Sequence, residues 1–210
     1  MSPATDTHIA HKYTAKTLEK KGKNKTSLQG ELGWTPEMKR PILCLPAGMS
    51  DKLGGALFEE LLPGLLSLPL EILVVGKGSS KFGTLFTELA KKHGHRIAII
   101  PNEETALHKM YAAADMALFL SDPGTQGETK LCLEYGVVPI GPECKALEDY
   151  NPVQETGNGF LYTGSDVWHA YGAIVRAAET FKFPYDWRTI QRHCMETMGD
   201  RSVTMEDDDE

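Results

Sequence analysis

The 210-residue chain is 41% hydrophobic and 24% charged, a composition that supports an apolar core in a soluble protein. Its formal net charge of −7 disfavours a general nucleic-acid-binding protein and a protein bound to an anionic membrane surface. Apolar runs stay well short of the roughly 20 residues that a membrane span requires. The N-terminus has no apolar signal-peptide core, so we expect a cytoplasmic protein.

In chain order, the sequence begins with a polar, lysine-rich segment over residues 1–38. We expect this segment to be helical around residues 8–20 and flexible where the sequence reads KKGKNKTS. Apolar runs alternate with helical patterns from residue 39 to residue 200, and an acidic tail covers residues 201–210. This organisation predicts one folded domain between two polar ends.

Short apolar runs typical of buried β-strands recur along the predicted domain. Most are rich in leucine or β-branched residues and lie next to glycine or proline. The predicted strands cover residues 41–48, 70–79, 96–101, 116–121 and 137–141, with a short sixth strand within 157–165. Segments with helical spacing lie between and after them, at residues 54–68, 81–94, 103–115, 127–136, 165–181 and 186–198.

The alternation of strands with helices of about three turns determines the predicted fold. It indicates βαβ units with a parallel sheet that is covered on both faces. Because such crossovers are right-handed, the sequence predicts an α/β domain with a doubly wound, Rossmann-like sheet. The buried central-strand residues should include Leu73, Val74, Val75, Ile97, Ile99, Leu118 and Leu120.

The cysteines and histidines indicate neither a disulfide framework nor a metal site. The four cysteines form no CxxC pair, so we expect buried free thiols at Cys44, Cys132, Cys144 and Cys194. The histidines are scattered, and we place His93 and His95 in a surface turn. We therefore expect no metal site and no cofactor.

Two predicted turns at the carboxyl ends of the strands are candidates for nucleotide binding, because ligands of open parallel sheets bind at that edge. Gly76 and Gly78 follow the second strand and would let the backbone approach a ligand, although a tight turn explains them equally well. Asn102 follows the third strand and could meet a base or a ribose. A plain helix N-cap is the alternative interpretation of Asn102.

A third candidate is the loop in the sequence LSDPGTQGETKLCLEYGVVPIG, residues 120–141. Thr125, Gln126 and Gly127 should lie at the N-terminus of a helix, where free N–H groups and the positive helix end favour an anion. Gly124 and Gly127 carry no side chain that would block the approach. The pattern predicts a phosphate site, and a helix cap that binds nothing is the alternative.

The order of these stretches resembles the C-terminal half of GT-B glycosyltransferases, in particular bacterial glycogen synthases and plant starch synthases. The matching sequences lie at residues 62–78, 107–121, 131–140 and 157–181. The resemblance implies a single GT-B C-terminal-type domain that binds a nucleotide diphosphate sugar, either ADP-glucose or UDP-glucose. It further implies glucosyl transfer to an α-1,4-glucan in a cleft shared with an N-terminal domain.

Several residues depart from the pattern of that family. The family places an Arg and, five residues later, a Lys after the first strand, and this chain has Gly48 and Leu53 there. Lys52 is one position away and could partly replace the Lys, while Asp122 lies near a family Glu. Lys52 and Asp122 are therefore the catalytic candidates. The family's Thr-Gly-Gly-Leu turn, which contacts phosphate, is CKAL at residues 144–147.

Three functional interpretations follow from the resemblance and the departures. The chain could be a synthase C-terminal domain that binds the nucleotide sugar weakly and is inactive alone. It could be a degenerate glycosyltransferase-like interaction module, or one half of a split enzyme whose N-terminal domain is a separate chain. A homodimer that covers the cleft face is a further expected partner arrangement, whereas nucleic acid and membrane are not expected partners.

Overall fold

The computed structural model of the protein describes residues 2–204. Within them, six strands form one parallel sheet, in the order β3-β2-β1-β4-β5-β6. The strands are β1 (Ile42–Leu45), β2 (Glu71–Val75), β3 (Ile97–Ile100), β4 (Met116–Leu118), β5 (Val138–Pro142) and β6 (Phe160–Tyr162). The predicted doubly wound, Rossmann-like sheet is confirmed.

Seven α-helices cover the sheet in the part of the chain that the structure describes. They are α1 (Glu19–Glu31), α2 (Gly55–Ser67), α3 (Ser80–Lys92), α4 (Glu104–Ala113), α5 (Gly127–Tyr135), α6 (Val167–Phe181) and α7 (Pro184–Thr204). The strand order reverses between β1 and β4, because the chain builds outward from β1 in one direction and from β4 in the other. The carboxyl ends of β1 and β4 therefore flank the crevice in which such sheets bind ligands.

Successive residues of β1 belong alternately to two hydrophobic clusters, because the strand is buried on both faces. Leu43 and Leu45 belong to one cluster, which also contains residues of α2, α3, α6 and α7. Ile42 and Cys44 belong to the other, which contains residues of α1 and α4 and of the segment before α1. The core is thus two apolar layers separated by the sheet.

The predicted core residues are buried, with one exception. Leu73, Val74, Val75, Ile97 and Leu118 are at most 5% exposed, and Leu120, at 8%, lies just beyond the end of β4. Ile99 is 37% exposed, so its predicted burial is wrong. The reason is that β3 is an edge strand and Ile99 lies towards its carboxyl end, beside Gly76, whereas Ile97 on the same face is buried.

The N-terminal segment differs from the sequence prediction. Its helix is α1 at residues 19–31 and not at residues 8–20, and the stretch expected to be flexible lies inside that helix. Lys21 is buried because its ammonium donates to the carbonyls of Tyr111 (2.8 Å) and Ala112 (3.1 Å) at the end of α4. Lys25 is buried because it pairs with Asp115 at 2.8 Å. These lysines anchor α1 to the sheet and do not mark a flexible linker.

The cysteines are free, and three of the four are buried. Cys144 is partly exposed, so its predicted burial is wrong; it follows the end of β5 at the surface. Burial raises the pKa of the Cys44 thiol to about 12.

No helix among the described residues is long and apolar enough to cross a membrane. Helix α7 extends into the predicted acidic tail as far as Thr204, and the rest of that tail lies outside the described residues.

Candidate functional site

Three loops contact one another at the crevice between β1 and β4. The loop after β1 meets the loop after β4 at Gly54, where a Cβ would lie 2.7 Å from the Cβ of Leu120. It also meets the loop after β2, because Met49 forms a parallel bridge with Gly78. The amide of Ser79 donates to the carbonyl of Met49 at 3.1 Å. The walls of the crevice are therefore held together by backbone contacts.

Gly48 and Gly78 are required by this contact between loops. Both have positive φ, +67° and +109° respectively. A Cβ on Gly48 would overlap the carbonyl of Lys77, and a Cβ on Gly78 would overlap the carbonyl of Met49. This backbone therefore has no room for the arginine that the family resemblance implies at position 48. Gly76 is less constrained, since its Cβ would make ordinary contacts with Ile99 and Ile100.

The predicted phosphate loop lies at the N-terminus of α5, on the β4 side of the crevice. A short 3₁₀ turn over Pro123–Thr125 precedes the helix. Within this turn the amides of Thr125 and Gln126 donate to the carbonyls of Asp122 and Pro123, both at 3.2 Å. Asp122 caps the turn, because its carboxylate accepts from the amide of Gly124 at 2.8 Å. The structure thus places Asp122 in a structural role within the loop.

The first residues of α5 retain free donors. Among the described residues, the amides of Gly127 and Glu128 donate to no backbone acceptor, as is usual for a first helical turn. A Cβ on Gly127 would have nothing within 4 Å, so the space in front of this helix end is open. The donors available to an anion therefore begin at Gly127, one to two residues later than the sequence predicts.

An ion pair that the sequence analysis missed lies at this helix end. The ammonium of Lys77, between Gly76 and Gly78, contacts the carboxylate of Glu128 at 2.6 Å. Their side chains are 34% and 23% exposed, so both remain accessible from solvent. The pair connects the loop after β2 with the first turn of α5. The lysine within the GxG sequence was the only local signal, and nothing in the sequence identified its partner 51 residues later.

The other candidates lie apart from this pair or have different surroundings. Lys52 is exposed on a short 3₁₀ turn (Asp51–Leu53), while Leu53 packs against the core. Asn102 is exposed after β3, the edge strand three positions from β4 in the sheet. The turn at residues 144–147 approaches the phosphate loop, since a Cβ on Gly124 would lie 3.7 Å from the Cβ of Cys144. The structure thus joins the loops of Gly76, Gly78 and Gly127 but leaves Asn102 at the sheet edge.

Comparisons with known proteins agree with this architecture. No family model matches the chain. The chain is 31% identical over 201 residues to a glycogen synthase of Fervidobacterium nodosum. The alignment covers 92% of this chain and 41% of the relative. The chain therefore spans about two fifths of the length of that relative.

Two solved structures have the same fold. The catalytic domain of starch synthase IV from Arabidopsis thaliana, bound to ADP and acarbose, matches 98% of this chain and 45% of its own length, with a TM-score of 0.80 and 21% identity. The C-terminal domain of the glycosyl transferase LpcC from Francisella tularensis matches 85% of this chain and 92% of its own length, with a TM-score of 0.57 and 12% identity. These two structures share the fold of the chain, and its similarity to the glycogen synthase identifies it as a C-terminal GT-B glycosyltransferase domain.

Proposed function

We propose that the crevice beside α5 binds the diphosphate of a nucleotide diphosphate sugar of the ADP-glucose type, the donor for glucosyl transfer to an α-1,4-glucan. One observation carries the proposal: the open N-terminus of α5 lies at the carboxyl edge of the sheet, where the strand order reverses. Sequence similarity to glycogen synthases supports it, as does the fold shared with a starch synthase domain bound to ADP.

The residues around this helix end suit a diphosphate leaving group. In the proposed transfer the bond from the sugar C1 to the phosphate oxygen breaks, and its electron pair remains on the diphosphate. Amides of Gly127 and Glu128 would donate to the phosphate oxygens, and the positive end of α5 would favour their charge. Lys77 would supply the nearest side-chain cation once it leaves Glu128.

We expect the affinity of the chain alone to be low. The two positions that the resemblance assigns to cations hold Gly48 and Leu53, and Glu128 adds a negative charge beside the proposed phosphates. A Kd on the order of 0.1–1 mM, or about 4–5.5 kcal/mol of binding free energy, is the expected range. We also expect no glucosyl transfer by this chain alone, because stabilisation of the leaving group is correspondingly weak.

A non-catalytic role as an interaction module is the second candidate function. The observation that favours it is Gly48, whose backbone conformation and contact with Lys77 leave no space for a cationic side chain. In this interpretation the fold is retained while the chemistry of the donor site is lost. The two candidates differ in one measurable property, which is the binding of ADP at α5.

Calorimetric and NMR titrations with ADP, UDP and their glucose conjugates test the proposal. Gly127→Val should obstruct the open space at α5 and abolish binding. Gly172→Val is the matched control, because Gly172 is also helical and its Cβ would also meet nothing within 4 Å, but it lies in α6. Binding of ADP that shifts other amide signals and leaves residues 124–128 unchanged would contradict the proposed site. Absence of any binding would favour the interaction module.

Substitutions of the two residues of the ion pair should change the affinity for ADP in opposite directions. Unit charges about 6 Å apart interact by about 0.7–2.8 kcal/mol at effective dielectric constants between about 80 and 20. Glu128→Gln, which removes the competing carboxylate and releases Lys77, should therefore tighten ADP binding about 3- to 100-fold. Lys77→Met should weaken it. Equal effects of the two substitutions would show that the phosphates do not lie at this helix end.

A further inference from the structure

A second cluster of polar side chains lies where the segment before α1 crosses α4. Asp6, His8 and His108 each offer one atom that can bind a metal, and these three atoms lie within 4.8 Å of one another. Asp6 is buried and the two histidines are partly exposed. None of the three belongs to the loops around the crevice, and the proposed sugar-nucleotide site does not use them.

The closest pair of atoms is separated by a few tenths of an ångström less than two ligands of one tetrahedral ion. Nδ1 of His108 lies 2.9 Å from Oδ2 of Asp6. In a tetrahedral site, metal–nitrogen and metal–oxygen bonds of about 2.0–2.2 Å separate adjacent ligand atoms by about 3.3–3.6 Å, so His108 and Asp6 would move apart slightly to bind one ion. The third ligand comes from His8, whose ring stands edge-on to that of His108 with centroids 4.9 Å apart. An ion would therefore replace the proton now shared by His108 and Asp6, with a small inward movement of His8.

A candidate fourth ligand, Glu104, lies beside His8. Oε1 of Glu104 lies 3.8 Å from Nε2 of His8, and its side chain is 66% exposed and free to turn. Glu104 and His108 are four residues apart on α4 and share one face of that helix. Oγ1 of Thr105 lies 3.0 Å from Nδ1 of His8, a hydrogen bond that leaves Nε2 of His8 available as a ligand.

Hydrogen bonds from Tyr135, from the amide of His8 and from His108 hold the Asp6 carboxylate in place. Tyr135 donates to Oδ2 at 2.6 Å, and the amide of His8 donates to Oδ1 at 2.8 Å. These bonds fix the carboxylate where the two imidazoles converge.

We propose that Asp6, His8 and His108, with Glu104 as the fourth ligand, form a binding site for Zn²⁺ or a similar first-row divalent cation. Two imidazoles with two carboxylates suit zinc, nickel or copper, whereas Mg²⁺ and Ca²⁺ prefer an all-oxygen set. The bound ion joins residues 6–8 to α4. Sequence analysis did not predict this site, because its ligands come from two segments about 100 residues apart.

Calorimetric titration of the full chain with ZnCl₂ tests this site. A Cys144→Ser background removes the partly exposed thiol, which is a competing zinc ligand. His8→Asn removes one imidazole and leaves the buried Asp6 unchanged. The matched control is His93→Asn, from a second histidine pair whose rings lie 6.3 Å apart and which belongs to no cluster of three ligands among the described residues. The acidic residues 206–210 are present in every variant and contribute equally.

We expect one equivalent of Zn²⁺ to bind the parent and the His93→Asn variant with the same affinity. His8→Asn should weaken binding by at least about tenfold, because loss of even an outer partner of a ligand costs roughly 10–100-fold. Zn²⁺ should raise the Tm of the parent more than that of His8→Asn, and excess Mg²⁺ should not compete. Equal zinc affinity of the parent and His8→Asn would overturn the proposal, and so would the absence of stoichiometric binding or a loss of binding in His93→Asn.

Discussion

Gly48→Ala measures how firmly the loop after β1 is fixed against the loop after β2. Alanine at φ +67° costs about 1–2 kcal/mol, because its Cβ approaches the following carbonyl in left-handed backbone. The same Cβ overlaps the carbonyl of Lys77, so the two loops must separate. Separation breaks the hydrogen bond from the Ser79 amide to the Met49 carbonyl, which adds about 0.5–1.5 kcal/mol. The expected loss of unfolding free energy is about 1.5–3.5 kcal/mol.

Urea unfolding followed by far-UV circular dichroism measures this loss, provided that the m-value is unchanged. Gly172→Ala is the matched control, because Gly172 lies in the middle of α6 with open space around its Cβ. There the same substitution should stabilise by roughly 0.5–1 kcal/mol, the difference in helix propensity between the two residues. A Gly48→Ala variant as stable as the wild type would refute the proposed fixed contact. It would also show that position 48 can accept a side chain, so that a cationic residue could fit there.

Leu73→Ala should cost about 2–5 kcal/mol, since Leu73 is fully buried in a central strand, whereas Ile99→Ala should cost about 1 kcal/mol or less because Ile99 is 37% exposed. Equal losses in urea unfolding would contradict the assignment of β3 to the sheet edge. Burial lowers the pKa of Lys21 to about 8. Above that pH the folded state has lost a proton that the unfolded state retains, so the contribution of Lys21 to stability rises with pH, by at most about 1.4 kcal/mol per unit. The stability of the wild type relative to Lys21→Met should therefore increase between about pH 7.5 and about pH 9, and a flat difference would contradict this reasoning.

The sheet was predictable because its evidence is local and repeated. Every strand from β1 to β5 is a short apolar run next to a helical pattern, and handedness then restricts the topology. The edge position of β3 was not predictable in the same way. Ile97 and Ile99 are equally apolar and lie on the same face of this edge strand, and only the packed structure shows that Ile99 is the exposed one.

The N-terminal segment and the ion pair depend on partners far away in sequence. Lysines normally indicate a solvated surface, and KKGKNKTS contains four of them, which is why a flexible linker was expected. Lys21 and Lys25 are instead buried by carbonyls and a carboxylate about 90 residues later. Lys77 likewise finds Glu128 across the crevice. Composition cannot reveal such pairs, because each half alone is an ordinary charged residue.

The free energies at the crevice indicate which feature limits its affinity for a diphosphate. Breaking the partly exposed pair of Lys77 and Glu128 costs only about 0.2–1 kcal/mol. The N-terminus of α5 stabilises a phosphate charge by a comparable amount, about 0.3–1 kcal/mol. A cation at about 4 Å from a phosphate would contribute about 1–4 kcal/mol, depending on its exposure. The missing cations at positions 48 and 53 therefore matter more than the cost of breaking the ion pair. Leu53 packs on the core and could exchange for lysine at the cost of that contact, but Gly48 cannot accept a side chain without separating two loops. A Leu53→Lys variant that binds ADP more tightly would show that a cation can be restored at position 53 in this backbone.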